Sequence, residues 1–355
     1  MKLINKCLTA VIIFSVTVSQ VIPVFAKEKT TVSSAPYINA YYAAAIDGLS
    51  HRVLYDKNAN YITPMASTTK IVTALVALNY GNIDEKVTIS HRAANIHGSQ
   101  VGYKENESVT IRELIYGLML RSGNDAAIAL AESRGGTVEE FLNVMNEYAV
   151  EIGLTNTHFE SPHGLDSDNH YTTAYDLALA ASKAKENEEF SQIVEVKEIP
   201  RQQFCFSRDY RNINKILWLL PEASGIKTGY TGKAGKCLVT SVKTPGKDMI
   251  ITLINSPTRW KETCKIYKYV NENYEYKNFH PANSEVKNYK YKRKSYVLKT
   301  SEEIILPIKN GSNVTERLVL PQKLAPKMNK NFGLLQFYEN NELIYCSPLK
   351  CERIK

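Results

Sequence analysis

Ser67 and Lys70 stand three residues apart at the start of an almost unbroken apolar run, Ala66-Ser67-Thr68-Thr69-Lys70-Ile71-Val72-Thr73-Ala74-Leu75-Val76-Ala77-Leu78. On a helix that spacing puts both side chains on one face, with Cβ atoms roughly 5–6 Å apart, so the amine reaches the hydroxyl. A helix this apolar is a buried one. Desolvation and the positive helix N-terminus push the pKa of such a lysine down toward that of a general base. A serine activated in this way needs no histidine. The pair alone is weak, because Ser-x-x-Lys occurs five times, at Ser67, Ser182, Ser224, Ser284 and Ser347. Ser67 also reads as a helix cap, with Lys70 snorkelling to the surface.

Two further stretches could complete a site. Ile111, Leu114, Ile115, Leu118 and Met119 recur at helical spacing and stop at Arg121-Ser122-Gly123-Asn124, after which Asp125 to Glu132 begins another helix. Ser122 and Asn124 therefore sit in a tight turn between two packed helices. Gly225-Ile226-Lys227-Thr228-Gly229-Tyr230 reads as a strand carrying a second lysine. Ser167-Asp168-Asn169, by contrast, follows a Pro-His-Gly loop and reads as turn and capping chemistry.

The elements that must position these residues follow from periodicity. Tyr41–Ile46 and Arg52–Tyr55 form a hairpin around Asp47-Gly48, residues 138–152 and about Thr173–Ala184 form helices, and Ser161–Asp166 is a loop. Cys237–Val242 and Met249–Ile254 read as strands, followed by a helix over about 258–273. Strands at both ends with helices between predict an α+β domain in which the first hairpin joins the last strands in one antiparallel sheet flanked by helices. Polar and aromatic residues 276–284, with Pro281 inside, read as a linker, and short alternating runs from Glu285 onward predict a small all-β domain over 285–355.

At 355 residues and 44% hydrophobic, the chain is long and apolar enough to bury a large core. Residues 1–26 read as a secretory leader: Lys2 and Lys6, a mostly apolar stretch from Leu8 to Ile22, then Val24-Phe25-Ala26. The apolar stretch is short and broken by Ser15, Ser19 and Gln20, which argues against a retained membrane anchor. The mature chain then starts at Lys27, exported from the cytoplasm, and its formal charge falls from +8 to +6. That excess suits attraction to an anionic cell surface. No arginine-rich helix accompanies it, so nucleic acid is not indicated as a partner. Five cysteines remain, with no Cys-x-x-Cys pair and no metal-site spacing, and no disulfide is required. Cys346 with Cys351 is a conceivable pair, whose geometry spacing does not establish.

In order and spacing, Ser67-x-x-Lys70, Ser122-x-Asn124 and Lys227-Thr228-Gly229 match the set found in class A β-lactamases and penicillin-binding proteins. The flanks Pro64–Lys70, Gly117–Ala127, Pro162–Asp166 and Gly225–Thr231 closely resemble the low-molecular-mass penicillin-binding proteins that are serine-type D-alanyl-D-alanine carboxypeptidases, over about Tyr41 to Tyr274. The resemblance implies a β-lactamase/transpeptidase-like domain over 27–275, no metal and no cofactor. It also implies a peptidoglycan stem peptide ending in D-Ala-D-Ala as substrate and β-lactams as acylating inhibitors. Carried over residue by residue, Ser67 is the nucleophile, Lys70 its base and Ser122 a proton relay. Asn124 holds the substrate amide, and Lys227 and Thr228 with Gly229 receive the terminal carboxylate. The backbone N–H groups of Ser67 and Tyr230 form the oxyanion hole.

The chain also departs from that pattern. An arginine that helps bind the carboxylate in some relatives aligns with Ile213, with Arg211 two residues earlier, and no C-terminal amphipathic membrane helix is evident. His163 reads as organising its loop rather than as catalytic. A β-lactamase would need a glutamate base that is not evident, and an idle peptidoglycan-binding or sensor protein would not need three intact motifs.

Overall fold

The computed structural model describes residues 34–79, 81–321, 326 and 329–354. The leader assigned to residues 1–26 lies outside them. The described chain opens on a hairpin of β1 (Tyr42–Ile46) and β2 (Val53–Lys57). A 3-10 turn, Ala66–Thr69, then runs into α1 (Lys70–Asn79), so the expected continuous helix is wound more tightly over its first turn. Residues Lys70 to Ala77 are all buried, as an apolar helix requires.

A short ladder of β3 (Lys86–Thr88) and β4 (Ser108–Thr110) encloses the single-turn α2 (His91–Ala94). Then come α3 (Ile111–Leu120), α4 (Asn124–Gly135) and α5 (Val138–Glu151), with Thr110 and Thr137 accepting backbone N–H bonds as caps of α3 and α5. After the 161–170 loop lie α6 (Ala174–Lys185), α7 (Glu188–Glu195), the two-residue ladder of β5 (Glu198–Ile199) with β6 (Tyr210–Arg211), and the one-turn α8 (Ile216–Leu219). β7 (Ala223–Thr231), β8 (Gly235–Val242), β9 (Met249–Ile254) and α9 (Arg259–Asn273) close the domain. The sheet order is β2-β1-β9-β8-β7, every pair antiparallel, so the first hairpin does join the last strands and β7 is the edge. Strand β9 is buried along its whole length, with helices α1, α3, α4 and α6 contributing to the core on one face and α9 to that on the other.

The remainder is all β: β10 (Tyr274–His280), β11 (Glu285–Tyr291), β12 (Lys294–Thr300), β13 (Ile304–Lys309), β14 (Val314–Val319), β15 (Asn331–Glu339) and β16 (Glu342–Arg353). The stretch expected as a linker, 276–284, is strand as far as His280: β10 pairs with β13, and only four residues, 281–284, connect it to β11. Its aromatic residues belong to the β-rich core, where Phe279 packs on Phe337 at 5.2 Å between ring centroids. Cys346 and Cys351 are both free, and their five-residue separation on one strand points them to opposite faces. Among the described residues no helix is long and apolar enough to cross a membrane.

Candidate active site

The 3-10 turn that carries Ser67 is held from both sides. On one side passes β7, where Gly229 approaches so closely that a Cβ there would lie 3.1 Å from the Ala66 Cβ and 3.2 Å from the Ser67 amide nitrogen. A larger residue would push the strand away from Ser67. On the other side lies the 161–170 loop, where Gly164 has φ +87° and a Cβ would fall 2.0 Å from the Ala66 carbonyl oxygen. Both the left-handed conformation and the contact demand glycine. Ala66 itself is buried with φ 51°, and Ser122 has φ 63°. Two non-glycine residues thus occupy sparsely populated backbone conformations at the sites where chemistry was expected.

Lys70 is fully buried, and its Nζ lies 2.9 Å from Ser67 Oγ, 2.8 Å from Asn124 Oδ1 and 2.8 Å from the His163 carbonyl oxygen. The Asn124 amide is oriented by its other end: Nδ2 donates to the His97 carbonyl at 2.7 Å, which can only accept. Asn124 Oδ1 and the His163 carbonyl are likewise acceptors only. A neutral amine therefore uses its two N–H bonds on them and turns its lone pair toward Ser67, whose hydroxyl then donates to Nζ. Burial, and secondly the charge of Lys227, hold the Lys70 pKa well below the usual lysine range. Burial thus favours the neutral amine, a state that the three contacts of Nζ accommodate.

Lys227 is also buried, and its ammonium donates to the Thr228 carbonyl at 3.1 Å. Burial first, and the Arg259 guanidinium second, lower its pKa to about 7. Thr228 is buried beside it on β7, while the Tyr230 side chain is exposed. Ser122, buried, occupies the turn between α3 and α4. That turn is anchored by its neighbours: Asp125 accepts the amides of Val101, Gly102 and Tyr103 at 3.0, 2.8 and 3.3 Å, and Asn124 N–H donates to the Ser99 carbonyl at 2.7 Å.

Sequence reasoning missed several supports. His170 Nδ1 accepts the Glu160 amide at 3.0 Å, which leaves Nε2 carrying the proton to donate to Thr69 Oγ1 at 2.8 Å; Thr69 in turn donates to the Ala66 carbonyl at 2.9 Å. This neutral imidazole, its pKa lowered to about 4 by burial, ties the loop to the turn that carries Ser67. Asp166 accepts from Thr231 Oγ1 at 2.7 Å and the Lys233 amide at 3.0 Å, tying the same loop to the end of β7. His163 contributes its carbonyl to Lys70, while its ring, with pKa lowered to about 3 mainly by burial, accepts the Leu165 amide at 3.2 Å. The Pro-His-Gly signal marked this loop, but no pattern pointed to His170 or Arg259. Arg211, considered as a carboxylate ligand, pairs with Glu198 at 3.1 Å on the surface. Among the described residues no cluster of histidine, cysteine and carboxylate side chains could hold a metal ion.

The model of the peptidase S11 family, described as D-alanyl-D-alanine carboxypeptidase, matches residues 29–258. The D-alanyl-D-alanine carboxypeptidase DacF of Bacillus subtilis is 32% identical over 342 residues, covering 92% of this chain and 88% of the relative. A D-alanyl-D-alanine carboxypeptidase of Streptomyces sp. K15 is 35% identical over 67% of this chain and 89% of its own length. Among solved structures, penicillin binding protein 5 from Haemophilus influenzae superposes with a TM-score of 0.77 at 28% identity, over 90% of this chain and 98% of that one.

Proposed function

The chain belongs to the peptidase S11 family of D-alanyl-D-alanine carboxypeptidases, and from that premise we propose how its own residues perform the reaction. The protein is a serine-type D-alanyl-D-alanine carboxypeptidase of the penicillin-binding type, acting on the cell wall outside the cytoplasm. Its substrate is a peptidoglycan stem peptide ending in D-Ala-D-Ala. The observation that carries the residue assignment is the Lys70–Ser67 contact of 2.9 Å, with the two other partners of the amine able only to accept.

Ser67 Oγ attacks the carbonyl carbon of the penultimate D-alanine while Lys70 Nζ takes its proton. The carbonyl oxygen becomes an oxyanion held by the backbone N–H groups of Ser67 and Tyr230, each worth about 3–4 kcal/mol of barrier in comparable sites. Collapse breaks the C–N bond, and the leaving amine receives a proton that Ser122 relays from Lys70. A water molecule, deprotonated by the same lysine, then hydrolyses the ester and restores Ser67. Asn124 holds both Lys70 and the substrate backbone amide, and Lys227 with Thr228 receives the terminal carboxylate beside the close approach at Gly229. A β-lactam enters the first half of this sequence and stalls as the acyl-serine.

The test is a time course of intact mass with benzylpenicillin, run beside Ser67→Ala, together with D-alanine release from a D-Ala-D-Ala peptide. A persistent one-drug adduct and D-alanine release, both absent from the variant, are expected. An adduct on Ser67→Ala would remove Ser67 as nucleophile, and rapid return to the free mass with drug consumed would identify a β-lactamase instead.

A further inference from the structure

The hairpin of β11 and β12 concentrates positive charge. Residues 286–295 contain Lys287, Lys290, Lys292, Arg293 and Lys294 and no acidic residue, a formal +5. The chain from Lys27 onward carries +6, so everything outside this hairpin sums to +1. All five cations are exposed and none makes an ion pair among the described residues, whereas Lys299, further along β12, is paired with Glu352 at 2.9 Å. Glu285 stands at the far end of β11, opposite Lys299.

Register gathers four of these cations at one end. Tyr291 pairs with Lys294 and Lys290 with Ser295, so the backbone of all four lies within about 7 Å of the turn. Neighbouring strand residues leave opposite faces, which sends Lys290 to one side and Lys294 to the other, while Lys292 and Arg293 are the turn itself. The charges therefore ring the tip. Behind it the hairpin is fixed to the β-rich core, with Tyr289 on Phe332 at 5.3 Å between ring centroids and with Tyr296 and Leu298 buried. Half-buried Tyr291 and exposed Ile354, whose amide donates to the Ser295 carbonyl at 3.0 Å, place apolar surface among the cations. Lysines on an edge strand also deter pairing with another chain, and β11 is an edge. That role does not account for Lys292 and Arg293 in the turn, or for Lys294 on the inner strand β12. Lys292 moreover has φ 52°, a left-handed conformation for which two-residue hairpins favour glycine, asparagine or aspartate.

We propose that the β11–β12 tip docks on a bilayer surface rich in anionic phospholipid, with Lys290, Lys292, Arg293 and Lys294 among the phosphates and Tyr291 and Ile354 at the apolar boundary. A ring of cations around a tip suits a plane met end-on, whereas a linear polyanion would call for a row of cations along one face. Each cation brought to such a surface is worth about fivefold in partitioning, so four together give several hundredfold. The attachment is reversible and sensitive to salt, and it uses no element that crosses the membrane. It is independent of the carboxypeptidase reading.

The chain from Lys27 onward, which keeps every described residue, is sedimented with vesicles of phosphatidylcholine containing one-third phosphatidylglycerol and with vesicles of phosphatidylcholine alone. Binding is expected only to the first and falls steeply as salt is raised. The fourfold variant Lys290→Gln/Lys292→Gln/Arg293→Gln/Lys294→Gln loses at least about a hundredfold in partitioning. A second fourfold variant, Lys86→Gln/Lys104→Gln/Lys215→Gln/Lys261→Gln, makes the same change in net charge at four exposed lysines elsewhere and keeps most of the binding. Melting curves establish that both variants are folded. Equal losses in the two variants would reduce the effect to net charge and overturn the proposal, as would equal binding to the two kinds of vesicle. Tighter binding to soluble poly(glycerol phosphate) than to the anionic vesicles at equal phosphate would overturn the choice of a bilayer and assign the tip to a polyanionic chain.

Discussion

Beside Ser67 the side chains of Lys70 and Lys227 are buried, in residues 0% and 1% exposed, and neither meets a carboxylate among the described residues. At the junction with the β-rich domain, Arg52 is instead held against Glu339, donates to the Pro307 carbonyl at 3.0 Å and lies over the Tyr274 ring at 5.5 Å from its centroid. Glu339 also accepts the Lys309 amide at 2.8 Å. In the first region burial with no paired carboxylate drives both lysine pKa values down, helped by a neighbouring cation in each case, Lys227 for Lys70 and Arg259 for Lys227. In the second, a counter-charge lets the guanidinium stay charged in a confined place and hold two sets of strands together. The same physical cost of desolvating a cation serves chemistry where it is left uncompensated and serves cohesion where it is compensated.

The contrast breaks most visibly at Lys70. Lys70→Met keeps the aliphatic stem and removes the amine. Acylation by benzylpenicillin is expected to slow by about 10²–10⁴-fold, the range for loss of a positioned base. Stability should change by no more than about 1 kcal/mol, because the lost hydrogen bonds are offset by no longer burying an amine. Stopped-flow acylation and urea unfolding read the two effects separately. A large loss of stability with little change in rate would mean that Lys70 is a structural residue.

Glu339→Ala gives the opposite pattern. Arg52 is left half-enclosed without its partner, and a loss of about 2–3 kcal/mol in unfolding free energy is expected. The initial acylation rate at 25 °C should stay within about twofold, since the rate per folded molecule does not depend on this pair. The double variant Arg52→Met/Glu339→Leu should recover most of the stability, because an apolar pair costs no desolvation. A parallel fall in acylation would show instead that the junction positions the site.

How much of this was legible in the sequence differs between the two regions for the same physical reason. The elements around Ser67 announce themselves because close packing restricts residue type: Gly229 must lack a side chain to approach Ser67, and the apolar run after Lys70 must be buried. The junction has no such restriction. Tyr276 and Phe279 read as part of a linker because an aromatic strand at a domain edge lacks a clear period, and Arg52 to Glu339 is a contact 287 residues apart that no local pattern encodes. His170 was missed likewise, since its bonds to Glu160 and Thr69 arise only when the loop folds back on the turn that carries Ser67. Even within the site, the motif residues were visible while the carbonyls of His163 and His97, which hold the Lys70 amine and the Asn124 amide, were not. Backbone groups leave no signature in residue identity.

The comparison sharpens further if substrate supplies to Lys227 what Glu339 supplies to Arg52. In the free enzyme Lys227 titrates at about 7, lowered first by burial and then by Arg259. Below that pH it is charged and ready for the terminal carboxylate; above it, the fraction able to bind falls by up to about tenfold per pH unit. The kcat/KM profile for D-alanine release, which reports the free enzyme, is therefore expected to decline above about pH 7. Once the carboxylate is bound, its charge stabilises the ammonium, so the decline in kcat moves to higher pH. Lys70 must be neutral, and its lowered pKa places the rising limb of the profile on the acid side of the lysine range. Arg259→Met removes one of the two causes that lower Lys227 and should carry the alkaline limb of kcat/KM upward by less than half of the total lowering, because burial is the larger cause. Coincident alkaline limbs in kcat and kcat/KM would show that the substrate carboxylate does not pair with Lys227, and a limb unmoved by Arg259→Met would show that burial alone sets its charge.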